Sequence, residues 1–307
     1  MKPSPLKYHR PRSIEEACQV LAEVAHEGKV LAGGQSLIPM LSMRLAAPAN
    51  LVDITAIDNL DSITASAESG VTFEALATHA ALASNREANR VQPLIGRALQ
   101  LVAHPTIRNR GTTVGSIVHA DPSAEMPAVL LLLDGSVAVR SVRGSREIPA
   151  RELFLGPLES SLEPDEIATS ATIPGVVPGV GVAIDEIARR HGDYALVGVA
   201  ARVQVADGEV KNARVTYVSA GDFGEVVDYT DVIRGASATD DRDPLWNTLS
   251  ETARERIGTE ADIHATARYR SQLVAALTAR VVMRAARDGV LSLSTRQSTP
   301  HVEAGEK

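Results

Sequence analysis

Apolar residues recur at helical spacing at Ile14, Ala17, Val20, Leu21 and Val24, behind Ser13, a good N-cap. This predicts a helix that Gly28 ends. A short buried strand then ends at Lys29 and Val30, and Leu37 to Leu41 reads as the first turn of a helix. The run 51–54 is a strand, so the first lobe is a small β-α-β unit. Short strands follow at 62–67 and 70–73, with helices at 74–83 and 94–102. His104-Pro105 stops the second of these helices, because proline disfavours helical geometry in the residue before it. An apolar helix at 127–133, strands at 136–142 and 167–173, and a connection after 148–154 complete the first half.

Residues 174–179, Pro-Gly-Val-Val-Pro-Gly, are the best linker in the chain and mark a domain boundary. Beyond it, residues 195–206 alternate and are rich in Val, Asp207-Gly208 suits a hairpin turn, and 210–219 is the partner strand. Residues 226–234 form a further short piece, and 244–256 and 266–287 are amphipathic helices. The expected division is 1–176, 177–290 and a polar tail at 291–307 that frays after Leu293.

Composition narrows the function. The 307 residues suffice for two cores, and the net charge of -7, with no basic patch or aromatic ladder, argues against nucleic-acid binding. Aromatics are 3%, so Ala, Val and Leu build the core. A single cysteine, Cys18, gives neither a disulfide framework nor a cysteine-ligated cluster within this chain. The first residues carry no apolar run and the longest one, 128–133, is too short to span a bilayer, so a cytoplasmic protein is expected.

Two stretches carry candidate chemistry. Residues 31–36 read LAGGQS, a turn with two glycines whose amides can approach a ligand closely and form an anion nest, with Ser36 as N-cap of the next helix. The same residues also suit a plain turn. Residues 106–126 read TIRNRGTTVGSIVHADPSAEM, which lacks periodicity and is expected to be a loop, either functional or a surface connection.

With these two stretches and ARRHGDYALVGVAA in order, the chain resembles the medium, FAD-binding subunit of molybdenum hydroxylases, the carbon monoxide dehydrogenase and xanthine dehydrogenase family. The closing YRSQLVAALTARVVMRA, from Tyr269, resembles that family's last helix. The resemblance runs from Tyr8 to about Gly289. It implies an α+β chain: a two-lobed PCMH-type FAD-binding domain, then a small C-terminal domain of antiparallel sheet, three-stranded in the family, with helices. Carried over, Leu31, Ala32, Gly33, Gly34, Gln35 and Ser36 hold the FAD pyrophosphate through their amides, and Val102 and Ala103 line the same site. Thr112, Gly115 and Ser116 stand at the family's second glycine loop, Glu125 at the carboxylate for the adenosine part, Ile167 or Ala168 on a neighbouring strand, and Tyr194 near the isoalloxazine.

Without the resemblance, Glu125 is equally a helix N-terminal acid and Tyr194 a core residue. His119 carries no assigned chemistry. Two departures from the family stand out: Val114 replaces the first of paired glycines in the second loop, and Glu74 stands near a usual glycine. A β-branched residue resists positive φ, so either Val114 has negative φ or the loop is shifted and binds flavin less well.

The resemblance implies an oxidoreductase subunit that transfers electrons through FAD, with a large molybdopterin partner and a small partner holding two [2Fe–2S] clusters, arranged as a dimer of heterotrimers. No catalytic residue and no metal site belongs to this chain in that reading. A flavin-poor assembly subunit and a standalone flavin oxidase are the alternatives.

Overall fold

The computed structural model describes residues 2–297. Its first lobe is a three-stranded parallel sheet of β1 (Lys7–His9), β2 (Gly28–Leu31) and β3 (Asn50–Asp53), in the order β1-β3-β2. Helix α1 (Ile14–Val24) covers it, capped by the Ser13 hydroxyl accepting from Glu16 N at 3.1 Å. Ile14, Ala17, Cys18 and Leu21 meet Val52 and Ile54 in a small core. Gly28 does not end this helix. α1 stops at Val24, a 3-10 turn intervenes, and Gly28 opens β2. Helix α2 (Leu37–Met43) links β2 to β3.

The second lobe is a five-stranded antiparallel sheet. Strands β4 (Ile63–Ser66) and β5 (Gly70–Glu74) lead into helices α3 (His79–Ser84), α4 (Arg86–Val91), α5 (Pro93–Leu99), α6 (Pro105–Arg108), α7 (Thr113–His119) and α8 (Glu125–Leu132). The chain returns through β6 (Ser136–Ser141), β7 (Gly144–Pro149), α9 (Ala150–Leu153), the β8 (Phe154–Gly156) and β9 (Glu159–Ser160) hairpin, and β10 (Ile167–Ile173). The sheet order is β4-β5-β10-β6-β7. Its core includes the fully buried Phe73, Leu94, Ile95, Leu99, Met126 and Leu130, each worth about 1.5–3 kcal/mol on burial.

Three expectations fail here. Residues 106–126 are not a loop but hold α6 and α7 and the start of α8. Helices α6 and α7 span only 4 and 7 residues, too short for an apolar period to develop. The helix expected from residue 74 begins only at His79, where the Thr78 hydroxyl accepts from Ala81 N, and Glu74 instead ends β5 opposite Ser170. The helix expected over 94–102 is α5, which ends at Leu99.

The C-terminal sheet has the order β11 (Val180–Ala188), β12 (Ala195–Ala206), β13 (Glu209–Val218), β14 (Val227–Asp228), all antiparallel. Three long strands thus carry a two-residue fourth. Asp207 (φ 58°) and Gly208 (φ 76°) both take the left-handed conformation that a tight hairpin needs. Helices α10 (Thr230–Ile233), α11 (Pro244–Arg256) and α12 (Ala267–Gln297) complete the domain. Strand β11 directly follows the linker. Its Gly181 lets α12 come so close that a Cβ there would stand 2.0 Å from Ala285 O.

The tail expected from residue 291 is helical to Gln297. Ser292 holds that turn by donating to Gly289 O at 2.7 Å and accepting from Gly179 N at 2.9 Å. The remainder of the expected tail lies outside the described residues. Among the described residues, no helix is long and apolar enough to cross a membrane.

Candidate cofactor site

The turn after β2 has the open amides that its glycines promise. Gly34 has φ 72°, and among the described residues the amides of Gly33, Gly34, Gln35 and Ser36 donate no hydrogen bond. The turn is closed from within: Gln35 Nε2 donates to Gly33 O at 3.2 Å, and Ile38 N to Gly34 O at 3.0 Å. Leu31 and Ile38 side chains lie under Gly34, each 3.1 Å from where its Cβ would be, and Ala32 packs against the first lobe's core. Ser36 sits at the N-cap position of α2 but its hydroxyl caps nothing, because its backbone is already helical (φ -96°, ψ -48°).

The second row of donors is the start of α7. Among the described residues, the amides of Thr112, Val114 and Gly115 donate no hydrogen bond. Three bonds brace it against the start of α3: Thr113 N to Ala77 O (3.1 Å), His79 N to Gly111 O (2.9 Å), and Thr113 Oγ1 with His79 Nδ1 (3.1 Å). His79 is buried, and desolvation lowers its pKa to about 4, so it stands neutral. Gly115 leaves room for the Thr112 side chain: a Cβ there would lie 2.6 Å from its hydroxyl oxygen, which would have to turn away. Val114 lies inside α7, 2% exposed, and is not among the residues of positive φ, nor is Glu74. Neither position therefore needs glycine for its backbone conformation.

The two rows touch. A Cβ on Gly33 would stand 2.3 Å from Arg110 O and 2.9 Å from both Gly111 Cα and Thr112 N. Only glycine allows this approach. Sequence reasoning singled out neither Arg110 nor Gly111, because the close approach joins residues far apart in the chain.

The other expected residues surround this seam unevenly. Val102 and Ala103 form a bend held by Arg108, whose Nη1 donates to Val102 O (2.8 Å) and Ala103 O (2.9 Å), with Ala103 at φ 42°. The turn between β11 and β12 leans on it, since a Cβ on Gly192 would meet Ala103 O at 2.9 Å. Tyr194, on that turn, is 71% exposed and is not a core residue. Ser116 is half-buried in α7. Glu125 opens α8 and is 9% exposed, and burial raises its pKa to about 7, with the charge of Asp121 adding to the shift. Ile167 is 1% exposed and its side chain belongs to the first lobe's core, while Ala168 is buried in the second lobe's core. Any contact of these two with a ligand would be through the backbone.

Comparison with known proteins agrees with this architecture. Residues 4–176 match the FAD-binding domain in molybdopterin dehydrogenase, and residues 183–285 match the CO dehydrogenase flavoprotein C-terminal domain. The chain is 39% identical over 288 residues to the nicotine 6-hydroxylase medium subunit of Paenarthrobacter nicotinovorans, covering 93% of this chain and 99% of the relative. It is 33% identical over 215 residues to the carbon monoxide dehydrogenase medium chain of Hydrogenophaga pseudoflava, covering 70% and 75%. Among solved structures, quinoline 2-oxidoreductase from Pseudomonas putida 86 aligns with a TM-score of 0.86 at 33% identity, over 94% of this chain and 99% of that one.

FAD fits the residues present. Its pyrophosphate needs donors without bulk, and the two adjoining rows offer unpaired amides next to glycines. On its family matches, its relatives and its fold, this chain belongs to the FAD-binding medium subunits of the molybdenum hydroxylases, a group of oxidoreductase subunits.

Proposed function

We propose that this chain relays electrons from [2Fe–2S] clusters on a small partner subunit to an external acceptor, in a complex whose large molybdopterin subunit hydroxylates the substrate. Bound FAD supplies the one- and two-electron chemistry. The chain's residues bind and orient it: amides from Leu31 to Ser36 on the pyrophosphate, Val102 and Ala103 beside them, and Thr112, Gly115 and Ser116 on the second side. Glu125 accepts from a ligand hydroxyl, the backbone at Ile167 lies behind, and the exposed Tyr194 ring is available to the isoalloxazine. Residues 1–176 form the flavin domain and 177–290 the C-terminal one. The complex is a dimer of heterotrimers in the cytoplasm.

One observation carries the reading: Gly33 abuts the backbone of residues 110–112 and so joins two rows of free amides. Two phosphate charges are offset there by fixed dipoles rather than flexible cations. The flavin-poor reading depended on Val114 and Glu74, and both sit in regular elements.

The test is to co-express the chain with its neighbouring subunits and quantify flavin released from the purified complex. One FAD per chain is expected, with flavin absorbance bleaching when the complex receives its substrate. A colourless intact complex would overturn flavin binding. A flavin that stays oxidised while the iron–sulfur centres are reduced would overturn the relay.

A further inference from the structure

A cleft of about 240 Å³ opens where the linker crosses from one domain to the other. It is lined by the linker residues 174–177, Val180 and Val182 of β11, Leu133 and Asp134 after the end of α8, and Arg202 of β12. Gln92, which also lines it, fixes the linker there by donating from Nε2 to Pro174 O at 2.8 Å. Helix α8 opens with Glu125 at the cofactor site and ends beside this cleft, so the two sites lie at opposite ends of one helix.

Strand β12 turns Arg202 toward the cleft. Ala201 and Val203, on either side of it, pack in the C-terminal core, so Arg202 points the other way. Its register partner on β11 is Val182, which lies in the core of the flavin domain. On β13 its register partner is Arg214. Like charges directly opposite each other on an antiparallel pair are destabilising.

Only one of these two charges is relieved. Arg214 donates to both carboxylate oxygens of Asp134, at 2.6 and 3.0 Å, and has Asp228 as its register partner on β14. Asp134 is thereby taken, and Arg202 makes no hydrogen bond or ion pair among the described residues. Burial and the charge of Arg214 both push its pKa down, with Asp134 opposing them. Arg97 of α5 adds no free charge nearby, since Asp288 and Val182 O hold it. On the linker, the amides of Gly175 and Val177 donate no hydrogen bond among the described residues. The cleft therefore combines apolar surface, one unpaired guanidinium and free backbone donors.

We propose that this cleft binds a small carboxylate with an apolar body, an aromatic or branched acid, whose carboxylate sits on Arg202 and whose body lies against Val180 and Val182. An apolar cavity of about 150 Å³ holds benzene, so the cleft has room for one ring with its carboxylate. Guanidinium recognises a carboxylate through two parallel bonds, and the apolar lining weakens competition from water. Such a ligand touches the linker, β11 and β12 on one side and the end of α8 on the other, so it ties the two domains together. The inference goes beyond the electron relay and does not depend on bound flavin.

The test is calorimetric titration of benzoate into the full chain at neutral pH, alone and in its complex, with benzamide as the neutral isostere. Benzoate should bind with a Kd of about 1 mM or below, and benzamide at least about tenfold more weakly. Arg202→Met should cost benzoate about tenfold, and Arg202→Lys, a point charge without the fork, should fall between. Without ligand, Arg202→Met should melt no lower than the unaltered chain, because the like-charge pair with Arg214 is gone. Flavin content should be the same in every variant. Equal affinities for benzoate and benzamide, or undiminished benzoate binding in Arg202→Met, would overturn the site. So would no benzoate binding at about 10 mM, a concentration that saturates a millimolar site. Binding by the free chain that disappears in the complex would give the cleft to a carboxylate of a partner subunit and overturn the small-molecule ligand.

Discussion

The turn after β2 and the start of α7 offer the same kind of donor by different means. The first is shaped from within, by the left-handed Gly34 and two short-range bonds at Gln35 and Ile38. The second is an ordinary helix start, held from outside by bonds to Ala77 and His79. One depends on what its residues lack, the other on what its neighbours supply. Because Gly33 rests on residues 110–112, the self-made turn also borrows its position from the braced one. The difference predicts that the two rows respond differently to added or removed bulk.

The largest effect should come from Gly33→Val. Its Cβ would fall 2.3 Å from Arg110 O, a backbone atom in a braced segment that has little room to move. Overpacking of this kind costs about 1–3 kcal/mol and would separate the rows. Flavin content of the purified chain should drop to near zero, while the far-UV dichroism of the folded chain persists. Full flavin occupancy in this variant would show that contact between the rows does not matter.

That asymmetry also decides what the sequence could disclose. The Gly-Gly turn between a strand and a helix was legible because its chemistry is local: φ 72° at Gly34 is a property of one residue. The second row looks like loop in the sequence because α6 and α7 are too short to show a period, and their stability comes from long-range bonds such as Thr113 to His79. Strand β11 escaped for a related reason. It follows a Pro-Gly linker, carries Asp185-Glu186, and is buried from both sides by two domains, so it shows no simple alternation of apolar and polar. The hairpin at Asp207-Gly208, again local, was read correctly. Family resemblance supplied the rest of the site, since the approach of Gly33 to residue 110 has no one-dimensional signature.

A smaller effect, and of a different kind, is expected from Val114→Gly, which restores the family's paired glycines. Val114 is 2% exposed and packs in the core of the flavin domain. Removing its side chain forfeits about 1.5–3 kcal/mol of burial and adds about 1 kcal/mol for glycine within a helix. The substitution should lower the melting temperature by several degrees and leave flavin affinity within about twofold, because the α7 amides are held by Thr113 and not by residue 114. A tenfold gain in flavin affinity would mean instead that the valine obstructs the second row.

The smallest effect is predicted at Ser36. A serine before a helix ordinarily contributes about 1 kcal/mol by capping an amide of the first turn. Here the hydroxyl makes no such bond and is exposed. Ser36→Ala should therefore change stability by less than about 0.5 kcal/mol. It should also leave flavin affinity unchanged, since alanine keeps the peptide N–H that the first row is built to present. Measured by equilibrium unfolding and flavin titration on the same sample, the variant separates backbone from side chain. An affinity lost tenfold at constant stability would assign the contact to the hydroxyl, and the first row would then rely on a side chain where the geometry relies on amides.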